Sequence, residues 1–126
     1  MEVTRLRALR GPNLWSHHTA IQAVVSCSPQ ECDVGQLPGF EARLRARFPE
    51  VSPFHTIGSE GAVPMARVLE LAALGLQAQA GCPVTFSCTK PTLETGVYQV
   101  VVEYSEEDVG RLAFDLAQAL CTAALD

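Results

Sequence analysis

Hydrophobic and polar residues alternate in four segments of the chain, and this two-residue period predicts four β-strands. In the second segment Ile21, Ala23 and Val25 fall on one face, which we expect to be the buried one. In the first segment Arg5 and Arg7 share the face that should be exposed to solvent. The fourth segment is rich in valine and tyrosine, which favour strands. The four predicted strands cover residues 2–10, 19–27, 84–89 and 97–104.

A period of 3.6 residues predicts three helices, over residues 38–48, 64–81 and 105–126. Pro38 and Pro64 stand at the first turn of their helices, where proline is tolerated. Ser105 is expected to cap the last helix, ahead of three acidic residues that suit its positive end. Each longer helix carries an apolar stripe that should face the core. The stripes are Met65, Val68, Leu69, Ala72 and Leu76, and Val109, Leu112, Ala113, Leu116, Leu120 and Ala123.

The element order is therefore β-β-α-α-β-β-α, which predicts an α+β fold. Its economical form is a mainly antiparallel four-stranded sheet with three helices packed on one face. Residues 28–35 and 49–61 are predicted loops, because they are rich in proline, glycine and polar residues. The 126 residues make a single domain. The last helix reaches Asp126 with carboxylates at its negative end, so we expect a domain cut from a longer polypeptide.

The charge and motif content excludes several classes of function. The net charge is −5 and Lys90 is the only lysine, so duplex nucleic acid is not an expected partner. No apolar run is long enough for a transmembrane helix, and the first ten residues do not resemble a signal peptide. The sequence has no phosphate-binding glycine loop of the common types, so nucleotide-driven chemistry is not expected in this chain. The sequence does not exclude a homo-oligomer.

The cysteines and histidines do not form a recognisable metal site. Five cysteines without a signal peptide favour a reducing, cytoplasmic setting. The spacings Cys27-x4-Cys32 and Cys82-x5-Cys88 differ from those of common zinc sites. His17 and His18 are adjacent, and adjacent residues of a strand point to opposite faces, so they would form a poor pair of metal ligands there. We therefore expect no bound metal and no catalytic residue.

Three stretches together resemble one known family. They are LRGPNLW at residues 9–15, LPGFEARL at 37–44 and TGVYQVVVEY at 95–104. In this order and spacing they resemble the N-terminal domain of the cyanophycin synthetase family, over nearly the whole chain. The resemblance implies a three-part parent enzyme that makes a poly-aspartate with arginine on each side chain. An ATP-grasp domain adds aspartate, a Mur-ligase-like domain adds arginine, and the N-terminal domain contacts the polymer.

The resemblance also bears on cofactors and on a possible hydrolase. ATP and Mg²⁺ are expected only in the other two domains, and no cofactor is expected in this chain. Some family members resemble a zinc peptidase whose long helix carries His-x-x-Glu-His. Arg67, Glu70 and Leu71 stand at those positions here, so the glutamate is present and both histidine ligands are replaced. We expect Arg67 and Glu70 to form an ion pair instead.

The expected function is a polymer-anchoring domain. Its surface should offer carboxylates, aromatic faces and cations to guanidinium groups and carboxylates of the polymer. Three of the residues of suitable type also have structural interpretations: Asn13 as a turn residue, and Trp15 and Tyr104 as core-edge residues. The alternatives are a primer-generating zinc hydrolase and an assembly domain with an exposed apolar patch on Val97, Val101 or the last helix. The predicted polymer-binding residues are Arg10, Asn13, Trp15, Lys90, Glu103 and Tyr104.

Overall fold

The computed structural model describes residues 1–48 and 61–125. In these residues four strands form one sheet, in the order β1-β2-β4-β3, and every neighbouring pair is antiparallel. The sheet confirms the predicted α+β class and the order of the strands along the chain. The strands are β1 (Glu2–Leu9), β2 (Ala20–Ser26), β3 (Ser87–Pro91) and β4 (Val97–Glu103).

Three α-helices complete the fold: α1 (Phe40–Arg47), α2 (Met65–Gln79) and α3 (Glu107–Ala124). Helix α2 packs against β3, β4 and α3, and α1 packs against α3. The Arg43 Nε donates to the carbonyl of Ala124 at 2.7 Å, which ties α1 to the end of α3. None of the helices described here is long and apolar enough to cross a membrane.

The two faces of the sheet differ in composition. Val100 and Val102 of β4 join the predicted inward residues of β2 in the core beneath the helices. The other face carries polar pairs, because the register places Arg7 beside Gln22 and Gln99 beside Lys90. The helices thus cover one face, and the polar face lies on the opposite side.

The predicted stripe on α2 is correct, whereas that on α3 is correct at Ala113 and Leu120 and wrong at Leu112 and Leu116. Leu112 is 69% exposed and Leu116 is 44% exposed, although both were expected in the core. Apolar residues occupy most of α3, so hydrophobicity alone does not identify its inner face. The small size of the residues does identify it, because a Cβ on Gly110 would lie 2.6 Å from the Cβ of Tyr104. The residues of α3 that are buried are mostly small: Gly110, Ala113, Phe114, Ala117, Cys121 and Ala124.

Several local predictions also need correction. Strand β3 covers Ser87–Pro91, so it begins three residues later and ends two residues later than expected. Its Ser87 and Thr89 hydroxyls donate to a carboxylate on α2. Helix α3 begins at Glu107 after an extended Glu106, so Ser105 does not cap it. The predicted loop over residues 28–35 contains two 3₁₀ turns, and the Ser28 N–H donates to Glu31 Oε1 at 2.8 Å. Most of the second predicted loop, residues 49–60, lies outside the described residues.

Candidate functional site

The segment between β1 and β2 is organised by the side chain of Asn13. Its Nδ2 donates to the carbonyls of Arg10 and His18, at 3.1 and 2.9 Å. Its Oδ1 accepts from the N–H groups of Trp15 and Ser16, at 2.9 and 3.0 Å. All of these contacts are within the loop, so Asn13 fixes the loop conformation and with it the position of Trp15.

Close approach of the two ends of this loop requires a glycine at position 11. A Cβ there would lie 2.5 Å from the carbonyl oxygen of His17 and 2.8 Å from the carbonyl carbon of His18. Real Cβ atoms do not approach backbone this closely, so any side chain would open the loop. Gly11 is therefore one reason why the loop can fold back towards the sheet.

The loop meets the polar face of the sheet at Lys90 and Glu103. The Lys90 ammonium lies 5.5 Å from the centre of the Trp15 ring, which is a cation–π contact. The Ser16 hydroxyl donates to the carboxylate of Glu103, which is only 4% exposed. Trp15, Lys90 and Glu103 come from three separate parts of the chain and lie together here.

The other predicted binding residues occupy different positions. Arg10 is exposed just after β1, at the start of the loop. The Tyr104 N–H donates to the carbonyl of Thr19, and the Thr19 hydroxyl donates to the carbonyl of Tyr104. Tyr104 packs against the core, and its Cβ lies under Gly110 of α3. Of the six predicted residues, the polar face thus brings together Trp15, Lys90 and Glu103. Asn13 organises the adjoining loop, and Tyr104 lies on the helix side.

The same face contains a hollow that the sequence pattern did not indicate. Its volume is about 370 Å³, and it lies between β1 and the middle of the sheet. Arg7 donates from Nε and Nη2 to the Oε1 of Gln22, at 3.2 and 3.0 Å. Arg5 and Arg7 were expected only to be solvent-exposed. The sequence does show that the two arginines stand two residues apart in one predicted strand. It does not mark the irregularity of β1 beside the hollow.

A second polar cluster lies on the helix side of the sheet around Glu70, which is 0% exposed. The Arg67 Nη1 donates to both carboxylate oxygens at 2.7 Å. The Ser87 and Thr89 hydroxyls of β3 also donate to this carboxylate, the latter at 2.8 Å. These bonds satisfy the buried charge internally, as the sequence predicted for Arg67 and Glu70.

The residues at this cluster do not fit the zinc site that the resemblance implies for some family members. Zinc in that motif needs two imidazoles on one helix face. Arg67 offers only donors and a positive charge, and Leu71 is an apolar residue of the core. Among the described residues no three histidine, cysteine or acidic side chains are grouped as a metal site would require.

The thiols of Cys27, Cys88 and Cys121 are not activated as nucleophiles. Burial, and next the nearby Glu70 carboxylate, raise the pKa of Cys88. Burial is also the largest cause that raises the pKa of Cys27, and it raises the pKa of Cys121 to about 12. A thiol with a raised pKa stays protonated near neutral pH, and the thiolate is the reactive form.

Fold and surface together define a small α+β domain with a polar sheet face, beside which an aromatic ring lies, opposite its helices. The profile of the family described as "Cyanophycin synthase-like N-terminal domain" matches residues 21–126. The chain belongs to this family.

Curated relatives agree with the family match. A cyanophycin synthetase of Trichormus variabilis is 32% identical over 138 aligned positions, covering 100% of this chain and 15% of the relative. One from Geminocystis herdmanii is 34% identical, covering 99% of this chain and 16% of the relative. One from Synechocystis sp. is 32% identical, covering 100% of this chain and 16% of the relative. The chain thus spans only about a sixth of the length of these proteins.

Proposed function

We propose that this domain anchors cyanophycin, the aspartate–arginine polymer, on the polar face of its sheet. Ligase domains of a longer parent polypeptide, with their own ATP and Mg²⁺, would extend the anchored chain in the cytoplasm. The observation that carries the proposal is the cation–π pair of Lys90 and Trp15. It lies on the same face of the sheet as the Arg7 guanidinium, which donates two hydrogen bonds to Gln22. Cations and aromatic rings are the groups that bind carboxylates and guanidinium groups of such a polymer.

The residues that contribute to anchoring differ in what they can contact. Lys90 is exposed and can reach a carboxylate, and Trp15 offers a flat ring beside it. Glu103 is almost fully buried against Ser16, so it acts by holding the loop that carries Trp15. Arg10 extends the cationic surface at the start of that loop. This division predicts that Lys90 affects binding directly and Glu103 affects it through the loop.

Anchoring does not require strong affinity at any single contact. A tethered polymer end has an effective concentration near the ligase sites that reaches the millimolar range for short flexible linkers. Many weak contacts along a long chain then retain it. We therefore expect weak binding of short fragments, tighter binding of long polymer, and loss of binding as salt screens the exposed charges.

The test is retention of purified cyanophycin by the 126-residue chain, compared at low and high salt. Lys90→Ala should reduce retention severalfold and leave the urea unfolding midpoint unchanged, since surface charges affect stability by less than about 0.5 kcal/mol. Arg111→Gln is the matched control, because it also removes one positive charge but lies on α3, on the other side of the sheet. No retention by the unaltered chain at low salt, or an equal loss in Arg111→Gln, would contradict the proposal.

A second candidate function is assembly of the parent synthetase, and one observation favours it. Leu112 and Leu116 are one turn apart on α3, and both are exposed. Their best occupant is another part of the same polypeptide, because the relatives extend far beyond the length matched here. Leu112→Gln with Leu116→Gln in the parent enzyme should then make the connection between this domain and the rest of the polypeptide more sensitive to limited proteolysis while polymer retention persists. Unchanged cleavage would leave anchoring as the only proposed function.

The zinc-hydrolase alternative has no support in the residues that would carry it. Arg67 and Leu71 supply neither of the two imidazoles, and Glu70 is held by three internal donors. A buried carboxylate engaged in this way cannot act as a general base for water.

A further inference from the structure

Strand β1 contains a bulge at its centre. Thr4 pairs with Val24 and Arg7 pairs with Gln22, so β1 uses three residue steps where β2 uses two. Arg5, within the extra length, has a φ of 52°, which is uncommon for any residue except glycine. Bulges redirect side chains and often lie beside functional sites. Arg5, within the bulge, and Arg7, directly after it, both line the same hollow.

The hollow has a pronounced positive character. Its described lining contains two guanidinium groups and two amides but no carboxylate. Arg7 uses two of its five N–H groups on Gln22, which fixes the plane of the guanidinium. Arg5 is exposed and forms no ion pair with any carboxylate of the described residues. The lining residues are Arg5, Leu6, Arg7, Gln22, Val24 and Gln99.

We propose that this hollow is a carboxylate-binding subsite for the polymer. The proposal rests on the anchoring function and identifies which part of the polymer is recognised. A guanidinium presents a planar fork of donors that matches the two oxygens of a carboxylate. Each aspartate–arginine unit retains one free carboxylate, on its arginine. Arg7 offers a fork already oriented by Gln22, and Arg5 adds a second cation at the rim.

The spacing of cations across the sheet fits a repeating ligand. The register runs from Val24 through Gln99 to Lys90, so the arginines of the hollow, on β1, and Lys90, on β3, stand on opposite edge strands of the sheet. Three strand spacings separate β1 from β3, which is about 14 Å. An extended peptide backbone places side chains on the same side every ~7 Å. Two such repeats span the distance, so one polymer segment can place carboxylates at both edges.

The test compares cyanophycin with the same polymer after its free carboxylates have been converted to methylamides. Arg5→Gln with Arg7→Gln should lower retention of native cyanophycin at low salt by about five- to tenfold. The amidated polymer should bind the unaltered chain and the double variant equally. Arg111→Gln should have no such effect. Arg5→Lys with Arg7→Lys keeps the charge and loses the fork, and should give an intermediate loss.

The outcomes separate the subsite from the anchoring function. If the unaltered chain retains cyanophycin and the double variant retains it equally, the subsite is wrong and anchoring stands. If the unaltered chain retains no polymer, the anchoring function is wrong and the subsite with it. An equal loss of retention of the amidated polymer in the glutamine double variant would overturn the assignment to carboxylates. Should the glutamine variant fail to fold by circular dichroism, the lysine variant decides, and full retention by it overturns the need for a guanidinium fork.

Discussion

Leucine at positions 69 and 112 provides a direct test of how α2 and α3 are oriented. Both residues stand on long helices and both were expected in the core from their spacing. Leu69 is 0% exposed, whereas Leu112 is 69% exposed. The same substitution, leucine to alanine, therefore removes fully buried surface at one position and mostly solvated surface at the other.

The two losses can be worked out from burial. Leucine to alanine removes three carbon atoms, and at about 0.8 kcal/mol each their transfer contributes ~2.4 kcal/mol at a fully buried site. The cavity left at Leu69 adds to this, so Leu69→Ala should lower the free energy of unfolding by about 2–5 kcal/mol. Leu112 buries roughly a third of its surface, so its transfer contribution is ~0.7 kcal/mol. The high helix propensity of alanine offsets part of that loss.

The measurement is urea unfolding of the 126-residue chain and its two variants, followed by far-ultraviolet circular dichroism. The slope with denaturant should stay the same, because neither variant changes the size of the folded core. A loss of 2 kcal/mol or more in Leu112→Ala, on the order of a fully buried leucine, would show that α3 is rotated from the orientation described here. A loss below about 1 kcal/mol in Leu69→Ala would refute the placement of α2.

Three further predictions follow from other parts of the structure. Gly110→Ala should destabilise the domain by about 1–3 kcal/mol, since its Cβ would collide with the neighbouring tyrosine, while Gly61→Ala, which meets no atom within 4 Å, should be neutral or slightly stabilising in the same urea assay. Burial raises the pKa of Glu31, but bonds from the N-terminal ammonium and a backbone N–H outweigh it and lower the pKa overall. Its stabilising contribution is therefore present above the ordinary value of 4.5 and is lost as pH falls through the lowered pKa, and Glu31→Gln should flatten the acid limb of stability against pH. Elemental analysis after dialysis should find no stoichiometric zinc, because Arg67 and Leu71 stand where the ligands would be, and one zinc per chain would contradict the fit argued from these residues.

The sequence pattern predicts those parts of the fold where periodicity and burial coincide. In β2 the alternation of Ile21, Ala23 and Val25 identifies the inner face, because polar or half-exposed residues stand between them. In α3 the rule fails because apolar residues surround most of the helix. There close packing of small residues against Tyr104 selects the inner face, and this depends on a contact that periodicity does not encode.

The candidate site was predictable only in part, for a similar reason. Trp15 and Lys90 were chosen because their residue types suit the polymer and because both stand near strand ends. Their contact depends on a loop folded by Asn13 and on β3 and β4 pairing in a particular register. The hollow at Arg5 depends on a bulge, and neither neighbouring residue is a glycine that would have marked it.

The charged residues on the two sides of the sheet differ in how far they are paired within the domain. On the helix side the buried Glu70 carboxylate accepts hydrogen bonds from Arg67 and from two hydroxyls of β3, and these bonds link α2 to β3. On the polar face Arg5 and Lys90 form no ion pair with any described carboxylate. The chain carries a net charge of −5. If this charge were spread evenly over the surface, it would repel an anionic group. Under the proposed anchoring function, these cations would attract the carboxylates of the polymer locally despite the net negative charge of the chain.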